Sequence, residues 1–352
     1  MNDPDKLASG DPVLRIEGLR TEFRIAGVWR AAVDGISLSL VRGETLALVG
    51  ESGCGKSMTA LSIMGLVPAP GGRIGAGRIV LGGEGKAGVN LVGLPEGALE
   101  KLRGDRMAMI FQEPMTSLNP VMTIGDQVAE ALVLHRGLSR AEAAKRALAV
   151  LEEVKIPSAA TRYHDYPHQF SGGMRQRVMI AIALACEPAL LLADEPTTAL
   201  DVTIQAQVLG LLADLKARHG MAMLFITHNL GVVAQIADRV AVMYAGQIVE
   251  EAGVDAIFVA PAHPYTRALF AAIPRMDLDD QELAAIPGRV PPLDAMPEGC
   301  RFAPRCALAR AGCERPQVLA EAAPGHRARC HVATGVLETD ALAMGAMETV
   351  DA

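Results

Sequence analysis

Aromatic residues are scarce in this chain: one Trp, four Tyr and seven Phe among 352 residues, 3% of a sequence that is 50% hydrophobic. A core with so few rings must rest on Ala, Leu, Val, Ile and Met, the filling of many α/β domains. Basic charge is not in excess either. The formal net charge of -7 argues against nonspecific binding along nucleic acid, which needs a basic face. No apolar run comes close to the roughly 18 residues that cross a bilayer, so membrane contact is expected through a partner. The opening "MNDPDKLASGDP" lacks the basic and then apolar pattern of a secretion signal, which leads to the expectation of a cytoplasmic protein. No internal repeat is found. Cysteine is also sparse, six in all, and a reducing compartment would keep these as thiols, metal ligands or reactive groups rather than as a disulfide framework.

What is present alternates between strand and helix text. Residues 1–11 are polar and expected to be flexible. "VLRIEGLRTEF" and "ISLSLVRGETLALVG" read as strands broken by turn residues. "TLALVG" is continuously apolar, as a strand buried on both faces would be. A Gly-rich turn follows, then "SMTALSIMGLV" with apolar residues at helical spacing. Residues 115–185 read as mostly helical; "SRAEAAKRALAVLEEV" begins with a capping Ser and a first-turn Glu. "ALLLADEP" and "AMLFITH" return to strand, and "RVAVMYAGQIVEE" reads as a closing hairpin. Beyond residue 260 proline becomes frequent and the cysteines cluster. The chain is therefore divided into a domain over 12–260, an extension over 261–335 and a flexible tail over 336–352.

"GESGCGKS", residues 50–57, fits G-x-x-x-x-G-K-[ST]. Glycines let successive backbone N–H groups face a phosphate, and the following helix offers its N-terminus as a further anion attractor. Lys56 can reach the β- and γ-phosphates and Ser57 can hold Mg²⁺. "LLLADEP" ends an apolar strand in two carboxylates: Asp194 is placed for the Mg²⁺ shell and Glu195 to polarise an attacking water. Gln112 closes "MAMIFQ" and His228 closes "AMLFITH", both at strand C-termini, the edge where α/β sheets hold ligands. Ser171, Gly172 and Gly173 form a second anion site, a capping Ser with two exposed amides at a helix start.

These pieces in this order resemble the ABC-type ATPases, over about residues 13–260. "FSGGMRQR" ahead of "LLLADEPTTALD" resembles that family's signature. The resemblance implies a P-loop NTPase fold: α/β, with a mostly parallel core sheet, an antiparallel β subdomain, a helical subdomain and here a small Cys-rich extension. It implies a head-to-tail dimer in which Ser171, Gly172, Gly173, Gln176 and Asp201 contact the partner's ATP. It implies that Phe23, in place of the usual Tyr, stacks on adenine, that Glu195 is the catalytic base and that His228 is the switch histidine. Gly50, Glu51, Ser52, Gly53, Cys54, Gly55, Lys56, Ser57, Met58 and Gln112 would line the nucleotide, with Mg²⁺ on Ser57, Gln112 and Asp194. "MIFQEPMTSLNPVMTIGDQ", "AHPYTRALFAAIP" and "PPLDAMPEGCRFAPRCALARAGC" more narrowly resemble ATPase subunits of oligopeptide, dipeptide and nickel importers. That likeness implies two membrane permease subunits, one of which docks a helix on residues 115–123, an extracytoplasmic substrate-binding protein, and a place on the cytoplasmic face of the cell membrane.

Cys300, Cys306, Cys313 and Cys330 follow the spacing C-x5-C-x6-C-x16-C. Zinc sites usually use closer pairs, whereas a [4Fe–4S] cluster tolerates wider spacing, and the related importers are associated with a cluster at matching positions. His326 and His331 keep zinc open, and free thiols stand as a third reading. Between residues 300 and 331 six arginines face two acids, which should favour thiolate. Cys54, inside the phosphate turn, is expected to be alkylated in competition with ATP. The rival function is a soluble ATP-driven clamp on DNA or ribosomes. It is disfavoured by the acidic charge and by the lack of a coiled-coil insertion or a second cassette.

Overall fold

The computed structural model describes residues 12–82, 88–112, 117–198, 200–272 and 286–336; the N-terminal and C-terminal stretches expected to be flexible lie outside these, save residue 336. Twelve strands are numbered in chain order. Four of them, β1 (Leu14–Ile25), β2 (Val28–Leu40), β4 (Gly72–Leu81) and β5 (Val89–Asn90), form an antiparallel sheet in the order β2-β1-β4-β5. The others form one eight-stranded sheet. These are β3 (Thr45–Val49), β6 (Met107–Ile110), β7 (Leu190–Asp194), β8 (Ala222–Thr227), β9 (Arg239–Tyr244), β10 (Gln247–Gly253), β11 (Ala320–Ala323) and β12 (His326–Ala328). Their order is β11-β12-β10-β9-β3-β8-β7-β6.

From β9 to β6 every ladder is parallel. β3, β7 and β8 are buried along their whole length, as their unbroken apolar text requires of strands covered on both faces. Parallel strands put their C-terminal ends on one edge, so residues 50, 112, 194 and 228 fall on that edge together. The helical layer contains Ile124–Arg136, Arg140–Glu153 and Gly172–Leu184. Arg140–Glu153 starts at a full capping box: the Ser139 hydroxyl accepts from the Glu142 N–H and the Glu142 carboxylate accepts from the Ser139 N–H. Ala143, Ala147, Val150 and Leu151, three and four apart, bury its apolar stripe.

The C-terminal extension does not form a second core. β12 pairs with β10 and β11 with β12, so the hairpin after the Cys-rich segment completes the edge of the main sheet. The buried Glu250 of β10 fixes it: its carboxylate accepts from the Ala262 and His263 N–H groups at 2.6 and 2.8 Å and meets His326 Nε2 at 2.6 Å. A buried carboxylate needs such partners, because an unpaired one is expensive to desolvate. The boundary expected near residue 260 therefore marks a change of composition, with the sheet running across it. The scarce aromatics also collect here. Tyr244, Tyr265 and Phe302 form a nest with centroids 4.6 to 5.3 Å apart, and Cys300 and Cys306 pack against the same apolar cluster.

Candidate active site

The turn at residues 50–57 leaves β3 and enters the helix Lys56–Met64. Two glycines in it have no substitute. A Cβ on Gly50 would lie 2.1 Å from the Met243 carbonyl oxygen, and one on Gly55, at φ 113°, would lie 2.8 Å from that of Ala32. The turn is thus pressed against β9 and β2 by its glycines, which leaves its other side to a ligand. The buried Lys56 ammonium donates to the Gly50 carbonyl at 2.8 Å and to that of Glu51 at 3.1 Å. It organises the turn and supplies its one positive side chain.

Ser57 Oγ donates to Asp194 Oδ1 at 3.1 Å, joining the turn to the end of β7. Burial pushes the Asp194 carboxyl up, with a smaller push from Glu195, against the Ser57 hydrogen bond and the Lys56 charge. A buried carboxylate with hard oxygen neighbours fits Mg²⁺ by the chemistry of its donors, and Ser57 and Asp194 are the side chains that would hold it. Gln112, the third expected ligand, instead donates from Nε2 to Glu195 Oε2 at 3.2 Å.

Glu195 sits at φ 47°, a conformation rare for a residue with a side chain. Its carboxylate is held from three sides. Thr198 Oγ1 donates to Oε2 at 2.9 Å, Gln112 shares that oxygen, and His228 Nδ1 lies 3.0 Å from Oε1. Burial raises this carboxyl, but the His228 and Thr198 hydrogen bonds and the charges of His228 and Lys56 outweigh it and hold it below the usual range. Glu195 is therefore ionised at neutral pH and aimed, as a proton acceptor must be. The structure thus assembles Lys56, Ser57, Gln112, Asp194, Glu195 and His228.

The residues expected to stack on adenine or to close from a partner lie away from this cluster. Phe23, half-buried on β1, faces Gly72 of β4. Ser171 caps Gly172–Leu184, accepting from the Met174 N–H at 3.4 Å, and Asp201 caps Val202–His219, accepting from the Ile204 N–H at 2.9 Å. Both capping residues, Ser171 and Asp201, are exposed, and Gly172 and Gly173 are partly buried. Gln176 is 2% exposed, and its Nε2 is buried with no hydrogen-bond partner, because its position on the helix turns it inward. In this single chain the side chain expected to meet a partner's nucleotide is thus covered. Ala199 of the signature stretch and residues 115 and 116 of the docking patch lie outside the described residues.

Cys54 is buried as well. Its thiol is 1% exposed and lies 3.9 Å from Lys56 Nζ under the turn, and burial raises its pKa despite Lys56. A buried neutral thiol is a poor nucleophile. In the native protein, peptide mass spectrometry is expected to show Cys54 alkylated at least about tenfold more slowly than the half-exposed Cys306, with or without Mg-ATP.

The four C-terminal cysteines are free thiols. Burial first, then the neighbouring Cys313 and Cys330, pushes Cys300 up to about 11, and burial likewise raises Cys306. Three of the six arginines are engaged with carboxylates rather than with these thiols: Arg301 with Asp34, Arg305 with Glu51, Arg327 with Glu251. The two histidines kept for zinc are also occupied, His326 by Glu250 and His331 by Gln317. Among the described residues no group of three or more His, Cys, Asp or Glu could hold a metal ion. Nothing among the described residues supports a [4Fe–4S] or zinc site at these positions.

Sequence reasoning missed what surrounds Glu51. Its N–H donates to the Tyr265 hydroxyl at 2.9 Å, and its carboxylate accepts two hydrogen bonds from Arg305. These partners stand 214 and 254 residues along the chain, and no local pattern announces such contacts.

Known proteins resemble this chain in sequence and in fold. The ABC transporter family model matches residues 33–198, and the model for the oligopeptide/dipeptide transporter C-terminal region matches residues 249–313. A relative from Brucella abortus (strain 2308), named as a peptide import ATP-binding protein, is 52% identical over 329 residues, covering 92% of this chain and 97% of its own. Another of the same description, from Brucella suis biovar 1, is 49% identical over 319 residues, covering 91% and 94%. A dimeric ATP-binding cassette solved in a post-hydrolysis state with ADP and Pi is 27% identical and superposes with a TM-score of 0.60, covering 68% of this chain and 98% of its own. A Clostridium perfringens cassette, part of the cbiONQ transporter complex, is 25% identical with the same TM-score, covering 71% and 92%. With the strand-end carboxylates, the phosphate turn and the C-terminal region all in place, the chain belongs to the ATP-hydrolysing subunits of ABC transporters, in the branch that carries the oligopeptide/dipeptide C-terminal region.

Proposed function

We propose that this chain powers a peptide importer from the cytoplasmic face of the membrane, by binding and hydrolysing ATP between two ATPase subunits. The observation that carries the chemistry is the aimed, ionised Glu195 beside the Ser57–Asp194 pair. Water attacks the γ-phosphorus in line as its bond to the β–γ bridging oxygen breaks and ADP leaves, while Glu195 takes the water's proton and His228 and Gln112 keep the carboxylate in place. Lys56 and the turn amides stabilise the phosphate charge. Mg²⁺, when bound at Ser57 and Asp194, neutralises charge on the phosphate oxygens.

The exposed caps Ser171 and Asp201, with Gly172 and Gly173, close on the nucleotide of a second ATPase chain, identical or paralogous. Closure does work because ATP binds the closed pair better than the open one. The relatives' names supply the peptide class, and a receptor outside the membrane would deliver the cargo. No step runs through a metal at the four cysteines. No helix among the described residues is long and apolar enough to cross a membrane; in this reading two membrane subunits carry the span. Nothing in the comparisons supports the DNA or ribosome clamp.

Those subunits would dock in an apolar cleft of about 610 Å³ between the end of β6 and the helical layer, lined by Met109, Phe111, Gln127, Leu134 and Met179. Leu134 is 71% exposed and Phe111 39%, unusual for residues this apolar and fitting for a surface covered by a partner. Reconstitution with the permease pair and a peptide-loaded receptor tests this. Leu134→Asp is expected to cut the receptor-stimulated ATPase rate by about tenfold, the effect of one lost interface anchor, with Mg-ATP binding unchanged. Full stimulation in that variant would remove the docking site. Absence of any peptide-stimulated turnover in the wild-type complex would remove the peptide assignment.

A further inference from the structure

One side chain of the phosphate turn works against its purpose. Glu51 puts a carboxylate next to the amides and the ammonium that receive a triphosphate, where like charge repels. The structure turns it away. Arg305 donates to both oxygens, Nη1 to Oε2 at 2.7 Å and Nη2 to Oε1 at 3.0 Å, the two-pronged pairing in which a guanidinium grips a carboxylate best. The Tyr265 hydroxyl holds the Glu51 N–H at the same time.

Arg305 is itself tightly fixed. Its side chain is 4% exposed. Nε donates to the Pro287 carbonyl at 2.8 Å, and Nη1 also donates to the Tyr244 hydroxyl at 3.3 Å. The short helical turn that carries it, Ala303–Arg305, lies between Cys300 and Cys306 and is seated on the aromatic nest through the buried Phe302. The same segment reaches the turn a second time. Arg301 donates to the Ala245 carbonyl, and the next residue, Gly246, donates its N–H to the Cys54 carbonyl at 2.8 Å. The Cys-rich segment therefore touches the phosphate turn at Glu51 directly and at Cys54 through the β9–β10 hairpin.

We infer that Arg305 is a positioning residue for nucleotide binding: it neutralises Glu51 and holds that carboxylate clear of the phosphate turn, which makes the Cys-flanked segment a working part of the ATP site. This rests on the reading of residues 50–57 as the phosphate cradle. It gives the crowded C-terminal segment a task that needs no bound metal. The thiols flank and pack the turn that presents Arg305.

The test is a titration of the full chain with a fluorescent ATP analogue and Mg²⁺. Arg305→Gln leaves Glu51 unpaired and is expected to raise the Kd about tenfold, the equivalent of one charge-assisted hydrogen bond. Adding Glu51→Gln to it removes the repelling charge and is expected to bring the Kd back to within about threefold of wild type. A purely structural brace would show no such rescue. A Kd for Arg305→Gln within twofold of wild type, or a double variant as weak as the single, overturns the inference. Breaking a buried pair from one side can unfold a protein. Should Arg305→Gln not fold, Glu51→Gln alone decides: it leaves the Arg305 cation unpaired beside the cradle, so the nucleotide should bind about threefold more tightly, and equal or weaker binding overturns the inference. Lys56→Ala is run alongside. If it binds nucleotide normally, the cradle reading itself is at fault; if it loses binding while Arg305→Gln does not, only the role of Arg305 falls.

Discussion

Glu195→Gln is expected to slow ATP turnover by about a hundred- to ten-thousandfold, the usual contribution of a positioned general base, with Mg-ATP affinity kept within a few-fold of wild type. The amide has the same size and can keep its place near Thr198, Gln112 and His228. It cannot accept the proton of an attacking water. The environment of Glu195 explains why the loss should be so large. Burial alone would make this carboxyl harder to ionise, yet hydrogen bonds from His228 and Thr198 reverse that, so the base is charged before substrate arrives. Its φ of 47° shows that the backbone is held in an uncommon conformation at this residue, as functional sites often require. Phosphate release and nucleotide titration on the same preparation separate chemistry from binding. A variant that hydrolyses at more than a tenth of the wild-type rate would take the base role away from Glu195.

Lys56→Ala is expected to fail earlier, at binding. Turnover should drop by at least about a hundredfold, comparable to removing one preorganised charge-stabilising donor, and Mg-ATP affinity should fall with it. Lys56 is buried, and its ammonium bridges two carbonyls of the turn. Its removal takes away the positive charge that meets the phosphates and the bracket that shapes the loop. Both effects raise Kd, whereas Glu195→Gln leaves Kd alone. The pair of variants therefore separates the cradle from the base. If Lys56→Ala still binds and hydrolyses ATP in the assembled transporter, the cradle at residues 50–57 is not the nucleotide site.

The strands that carry this chemistry were legible because a strand covered on both faces has to be apolar throughout. "TLALVG", "LLLAD" and "AMLFIT" show that pattern, and each runs directly into site residues: the phosphate turn, the Asp194–Glu195 pair and His228. β1 and the closing hairpin could also be read. β4 could not: "GRIGAGRIVL" holds three glycines and two arginines, and it forms a strand because β1 and β5 flank it on either side.

The sequence alone determined the chemistry. A phosphate turn, two strand-end carboxylates and a capped glycine pair each depend on residues within a few positions of one another, so local text is enough to specify them. Tertiary structure decided what that chemistry is connected to. It set the C-terminal hairpin on the main sheet, paired His326 with Glu250, and placed Arg305 on Glu51 across 254 residues. Such long-range ion pairs depend on which surfaces the packed core brings together, and a one-dimensional pattern does not carry that information.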